Sequence, residues 1–319
     1  MNEISLSLGD FFGTFPIAWI VLIFVVGLLV GSFLNVVIHR VPIMLEREWR
    51  SQAEQLLSEQ PAADGTSSLP SALNPQPSAS SPKYNLVVPR SACPKCGAMI
   101  TAMQNIPVFS WLFLRGKCAN CANPISVRYP IVELITAVLS ALVAWKFGVH
   151  WYTAAALFFT WMLIAMSGID FDTTLLPDNM TLPLLWVGLL LSVIGTDTAL
   201  GLPVDMQSSI IGAVAGYLSL WSVYHVFKLV TGKEGMGYGD FKLLGALGAW
   251  LGWQSLPLII LLSAFVGAVV GITLIVVRGR DRNIPIPFGP YLAAAGWIAL
   301  MWGDQLIGSY LRASGIAHS

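Results

Sequence analysis

From residue 17 to residue 38 the chain carries no charged side chain. About 20 mainly apolar residues, wound as a helix, cross the roughly 30 Å hydrocarbon core of a bilayer. Lipid offers no partner to an open backbone, so a spanning segment of this kind is helical. Further apolar runs lie near 130–149, 152–169, 180–195, 208–230, 240–253, 255–277 and 287–307, the sixth of the eight being the shortest. Charged residues make up 11% of the chain and hydrophobic ones 55%, against roughly 25% charged in an ordinary soluble domain. Seventeen basic residues balance 17 acidic ones, so no net field draws a polyanion, and nucleic acid is not an expected partner. The sequence predicts an all-α polytopic membrane protein with about eight transmembrane helices.

Basic residues set the orientation, because they collect on the cytoplasmic side. Arg40, Arg47, Arg50, Lys83, Arg90, Lys95, Arg115, Lys117 and Arg128 lie between the first and second runs. Lys228, Lys233 and Lys242 flank the junction of the fifth and sixth, and Arg278, Arg280 and Arg282 follow the seventh. With eight spans these fifteen share one side, leaving Lys146 and Arg312 on the other. Both termini are then expected outside and the long loop inside. Residues 1–16 hold no Lys or Arg, unlike a cleaved signal peptide. Small residues four apart, Gly27 with Gly31, Gly212 with Gly216 and Gly267 with Gly271, suit close helix approach. They fit packing within one chain or the face of a homo-oligomer.

Three regions follow: an N-terminal segment with the first span (1–39), a cytoplasmic loop (40–129) and a seven-helix membrane core (130–319). Within the loop, Glu46 to about Glu59 reads as a short charged helix. The Pro, Ser and Ala of about 59–82 cannot bury enough apolar surface to order themselves. Over about 90–125, Cys93-Pro94-Lys95-Cys96 and Cys118-Ala119-Asn120-Cys121 form two Cys-x-x-Cys pairs that hold every cysteine of the chain. Two such knuckles complete a tetrahedral, structural Zn²⁺ site without an open position. The predicted fold is thus a helical membrane protein with a zinc-ribbon-like insert between helices 1 and 2. Disulfides or a redox pair are the alternatives, disfavoured in reducing cytoplasm.

Acidic residues stand at the ends of two apolar runs. The third span enters Asp170, with Asp172 and Asp178 following; the sixth opens at Gly237-Tyr238-Gly239-Asp240. Acids at membrane level are costly and are functional candidates by default. The parity of eight spans puts Asp170 and Asp240 on one membrane face. Two carboxyl groups brought together share a proton and can activate water while polarising a carbonyl. Structural roles compete: Asp178 as an N-cap, Asp172 facing solvent, Asp240 capping the sixth helix or pairing with Lys242. A proton-coupled transporter and a non-enzymatic zinc-ribbon membrane scaffold use the same features differently. The four histidines are scattered and form no His-Glu-x-x-His.

Gly237-Tyr238-Gly239-Asp240, Asp170 and Leu176-Pro177-Asp178 resemble the motifs of bacterial prepilin peptidases, the type IV leader peptidases, which are intramembrane aspartic proteases of the G-x-G-D type. The likeness extends to Gly31 through Arg40, the paired Cys-x-x-Cys, Arg128-Tyr129-Pro130, and Pro285 through Tyr291. It implies a bifunctional enzyme of the bacterial inner membrane with its active site facing the cytoplasm. Such an enzyme removes the basic leader of type IV prepilins and type II secretion pseudopilins, then methylates the new N-terminus with S-adenosylmethionine. The resemblance assigns catalysis to Asp170 and Asp240 and metal binding to Cys93, Cys96, Cys118 and Cys121. No Gly-rich nucleotide loop marks an S-adenosylmethionine site.

Overall fold

The computed structural model describes residues 12–59, 84–101, 103–194, 202–233, 235–278 and 286–315. The helices are α1 (Pro16–Glu59), α2 (Phe109–Phe113), α3 (Arg128–Phe147), α4 (Trp151–Thr173), α5 (Asp178–Ile194), α6 (Met206–Thr231), α7 (Tyr238–Leu251), α8 (Leu256–Arg278) and α9 (Gly289–Ala313). Among the described residues there are no strands beyond isolated bridges. Each of the eight apolar runs coincides with a helix. Five are long and apolar enough to cross a membrane: α1, α3, α4, α6, and α8 with the 3₁₀ turn before it. This is an all-α, multi-pass membrane protein.

Two expectations change in the first third. The charged segment from Glu46 is not a separate helix. It continues the first span, and α1 runs for 44 residues with Pro42 inside it. Pro42 removes one backbone donor without ending the helix. The linker expected over about 59–82 lies, from residue 60 on, outside the described residues.

The glycine pairs are used inside the chain. A Cβ on Gly27 or Gly31 would stand 2.7 Å from the Cα of Ala137 or Glu133, so α1 meets α3 backbone to backbone. Likewise Gly212 and Gly216 of α6 face the carbonyls of Gly248 and Leu244 of α7. In lipid, where burial gives helices little reason to associate, such close approach supplies the dispersion contacts.

The short run at 240–253 becomes the centre of the bundle. α7 has 14 residues, about 21 Å of helix, and it packs among α5, α6 and α9. Every residue from Leu243 to Leu251 is buried, the mark of a helix apolar all round. Polar groups pin it at its far end. The Trp250 indole donates to the Leu184 carbonyl at 2.7 Å, and the Ser209 hydroxyl donates to the Ala249 carbonyl at 2.6 Å. Those contacts fix the height of the first turn of α7, where Asp240 sits.

Candidate active site and metal centre

Asp170 lies in the last turn of α4, 4% exposed, after the fully buried Ile169. The helix ends because Thr174 turns into the left-handed region (φ 51) and donates its N–H to the Asp170 carbonyl at 2.9 Å. A β-branched residue there is strained. The chain then passes through Leu175-Leu176-Pro177 into α5. Asp240 is the third residue of α7, 6% exposed, behind an extended Gly237. Its carboxylate lies within Coulombic reach of Asp170.

Glycines make this meeting sterically feasible. A Cβ on Gly239 would stand 2.6 Å from the Leu176 Cβ, so α7 can press against the turn after Asp170 only without one. A Cβ on Gly289 would lie 2.7 Å from Asp170 Oδ2 and 3.1 Å from Leu176 Cδ1. In its place the Gly289 N–H, at the start of α9, donates to Asp170 Oδ2 at 3.0 Å. Leu176 is therefore wedged between the first turn of α7, which carries Asp240, and the start of α9. Neither Gly289 nor Leu176 had a role readable from sequence, since what matters is a backbone amide 119 residues from Asp170 and a van der Waals contact.

The four acids sort into two classes. Asp172 takes the Arg128 guanidinium at 2.6 Å, and the same guanidinium donates to the Gly168 carbonyl at 3.2 Å. Asp178 does not cap α5 as expected. Both its oxygens accept from Lys242, at 2.6 and 2.8 Å. Lys242 is thereby drawn away from Asp240. Among the described residues no cation pairs with Asp170 or Asp240. Of these four, Asp170 and Asp240 are the buried ones and, among the described residues, have no counter-ion.

The four cysteines converge as well. Their Sγ atoms all lie within 4.8 Å of one another, with Cys93 and Cys121 3.8 Å apart. Thiolates at Zn–S distances of about 2.3 Å on a tetrahedron stand about 3.8 Å apart, so the donor set fits a metal ion. The two knuckles repeat one geometry. The Gly97 N–H donates to the Cys93 carbonyl and the Ala122 N–H to that of Cys118, both at 2.9 Å. Gly97 (φ 69) and Ala122 (φ 55) both turn left-handed. Hydrogen bonds from the Asn120 side chain and the Ala98 amide bring the Cys96 thiol down to about 6, favouring the thiolate a metal needs.

Polar clamps fasten this insert to the membrane helices. Arg40, 8% exposed on α1, donates to the carbonyls of Asn85 and Pro89 at 2.8 and 2.6 Å. Glu133, buried on α3, accepts the Val108 N–H at 2.7 Å. Glu133 was not foreseen; it follows the Arg128-Tyr129-Pro130 motif and looks in sequence like one acid at the edge of a span.

Comparison with known proteins places the whole chain. A model of the bacterial peptidase A24 N-terminal domain matches residues 25–147, and one of the type IV leader peptidase family matches residues 157–272. A prepilin leader peptidase/N-methyltransferase of Aeromonas hydrophila is 56% identical over 296 residues, 93% of this chain and 95% of its own. Proteins of the same description from Stutzerimonas stutzeri and Pseudomonas aeruginosa are 53% and 52% identical, covering 95% and 96% of this chain and 97% and 98% of theirs. No solved structure matches. With two family models in chain order and relatives this similar over nearly full length, the chain belongs to the type IV leader peptidase family.

Proposed function

We propose that the chain is a prepilin leader peptidase and N-methyltransferase of the bacterial inner membrane, with Asp170 and Asp240 as its catalytic pair. One observation carries the peptidase chemistry: two buried carboxyl groups, on helices far apart in sequence, are brought to one residue, Leu176, through Gly239 and Gly289, and neither has a counter-ion among the described residues. In such a pair one member ionised and one protonated can take a proton from water and give one to the scissile carbonyl. Water then adds directly, without a covalent intermediate. The Gly289 amide holds one Asp170 oxygen in place, so that the other is the one free to act. Gly237, where an added Cβ would meet only Asp240 Oδ2, at 3.8 Å, leaves room for a peptide backbone beside the acids.

The charge pattern supports eight crossings with both termini outside and the pair facing the cytoplasm. The basic leader then stays at the headgroups while the pilin's apolar segment lies in the bilayer. Cys93, Cys96, Cys118 and Cys121 would hold Zn²⁺, which supplies only cross-linking here. The three-region organisation of the chain follows from the same reading. Neither the cavity along α4 nor the one beside Trp253 suits S-adenosylmethionine, because both are lined mainly by apolar side chains.

A proton-relay transporter would need unengaged polar groups through the spans. Instead the buried hydroxyls of Thr136, Ser140, Thr160 and Ser209 each donate to a helix carbonyl.

Purified protein incubated with a prepilin and labelled S-adenosylmethionine should yield a pilin shortened by its leader and heavier by one methyl group. Asp170→Asn and Asp240→Asn should each stop cleavage while still methylating a pilin supplied already cleaved. Full cleavage by Asp240→Asn would remove the pair from the mechanism.

A further inference from the structure

A cavity of about 700 Å³ opens along the outside of α4, between it, α3 and α9. Resting on the peptidase reading above, we infer that this groove seats the apolar membrane segment of the substrate and so determines which proteins are cleaved.

The groove has the length and direction the task requires. On α4 it is lined by the ridge Thr160, Ile164, Gly168 and Asp172, four residues apart and so on one face. Twelve residues of helix extend about 18 Å, from the rim beside the catalytic pair to the middle of the bilayer. α9 forms the opposite wall with Ala294 and its neighbours, beginning at Pro290, the residue after the glycine that binds Asp170. A helix lying in the groove therefore reaches the level of the pair at its cytoplasmic end. The other cavity, about 520 Å³ beside Trp253 and Pro257, sits by the end of α7 opposite Asp240 and cannot serve.

Both ends of the groove are held in shape without an occupant. Arg128 bridges α3 to α4 at the rim through Asp172 and the Gly168 carbonyl. Deeper in, the Trp297 indole donates to the Thr160 hydroxyl at 3.1 Å, joining α9 to α4. Arg128 is engaged by these contacts and is not available to a lipid phosphate. Ala294, small and exposed in the α9 wall, suits the close approach of another helix, whereas the Cβ position of Gly168 is already filled by Ile38. These features favour a peptide helix over a lipid chain.

Ala294 is exposed towards the groove, so Ala294→Trp should fill it and still fold. The experiment compares a full-length prepilin with a peptide that carries the leader and cleavage site but ends before the apolar segment. Ala294→Trp should lower kcat/KM for the prepilin about tenfold relative to the peptide, mainly through KM. Leu261→Trp, at the other cavity, should not change that ratio. A photo-crosslinker at position 294, in the Asp240→Asn background that retains substrate, should label the prepilin's apolar segment. An unchanged ratio for Ala294→Trp, or crosslinks only to lipid or to a second copy of the chain, would overturn the groove assignment and leave the peptidase standing. Wild-type protein that cleaves neither substrate would remove the peptidase reading, and the assignment with it.

Discussion

Lys242 grips both carboxylate oxygens of Asp178, at 2.6 and 2.8 Å across 64 residues of sequence. The pair ties the first turn of α7 to the first turn of α5, and it consumes the one basic residue next to Asp240 in sequence. Arg128 does the same for Asp172 on α4. The site thus spends these cations on the acids at its rim, and among the described residues the buried Asp170 and Asp240 have no counter-ion.

Asp178→Asn is expected to leave leader cleavage within about fivefold of wild type, since the Asp178 side chain is 58% exposed and a surface ion pair contributes about 0–1 kcal/mol. Asp240→Asn should lower the rate by about 100-fold or more, the range of a lost general acid or base. Single-turnover cleavage of one prepilin by both variants checks this. Equal losses would mean that the Lys242 contact belongs to the chemistry.

Gly289→Ala is expected to impair cleavage severely while α9 still forms. Alanine favours the helix, yet its Cβ would stand 2.7 Å from Asp170 Oδ2, displacing the carboxylate or its bond to the amide. The variant should bind prepilin with near-normal KM and show kcat reduced by about 100-fold, comparable to misplacing a catalytic group by 1 Å. Normal kcat would show that the Asp170 position tolerates the shift.

How much of this was legible in sequence differs by element. The helices were readable because a span must be continuously apolar, and the tetra-cysteine cluster because ligand spacing is local. The run at 240–253 is the shortest of the eight for a physical reason. Its helix, α7, is enclosed by α5, α6 and α9 and need not meet lipid on every side. Asp170 and Asp240 could be found because acids are conspicuous at membrane level. Gly289 and Leu176 act through a backbone amide and through shape, which leave no chemical mark in a sequence. Asp178 misled because an acid after proline at a helix start is an ordinary cap, and its true partner lies on another helix.

Metal content gives a direct check on the insert. The protein purified without chelator should carry one Zn²⁺ per chain, and Cys93→Ser or Cys118→Ser should lose it. Losing the cross-link should open the segment 84–125 to protease while the helical content of the membrane core is unchanged, because among the described residues the knuckles carry isolated bridges rather than strands. If brief chelation abolished cleavage with the segment still protected, the metal would have a role beyond structure.

Glu133 offers the last test, at the joint between the insert and the membrane core. Its carboxylate accepts the N–H of Val108, a β-branched residue held at φ 59, where it would not remain without a partner. Glu133→Ala leaves that N–H without an acceptor, a cost of about 1–3 kcal/mol for a buried donor. The strained turn should then release. Hydrogen exchange over residues 103–113 should accelerate by about 5- to 150-fold, the same energy expressed as a ratio, while the Zn²⁺ stays bound. Glu133→Gln keeps a carbonyl acceptor in the same place and should restore most of the protection. Exchange in Glu133→Ala as slow as in wild type would mean that the insert is docked by its other contacts, Arg40 foremost, and that the buried acid on α3 serves something else.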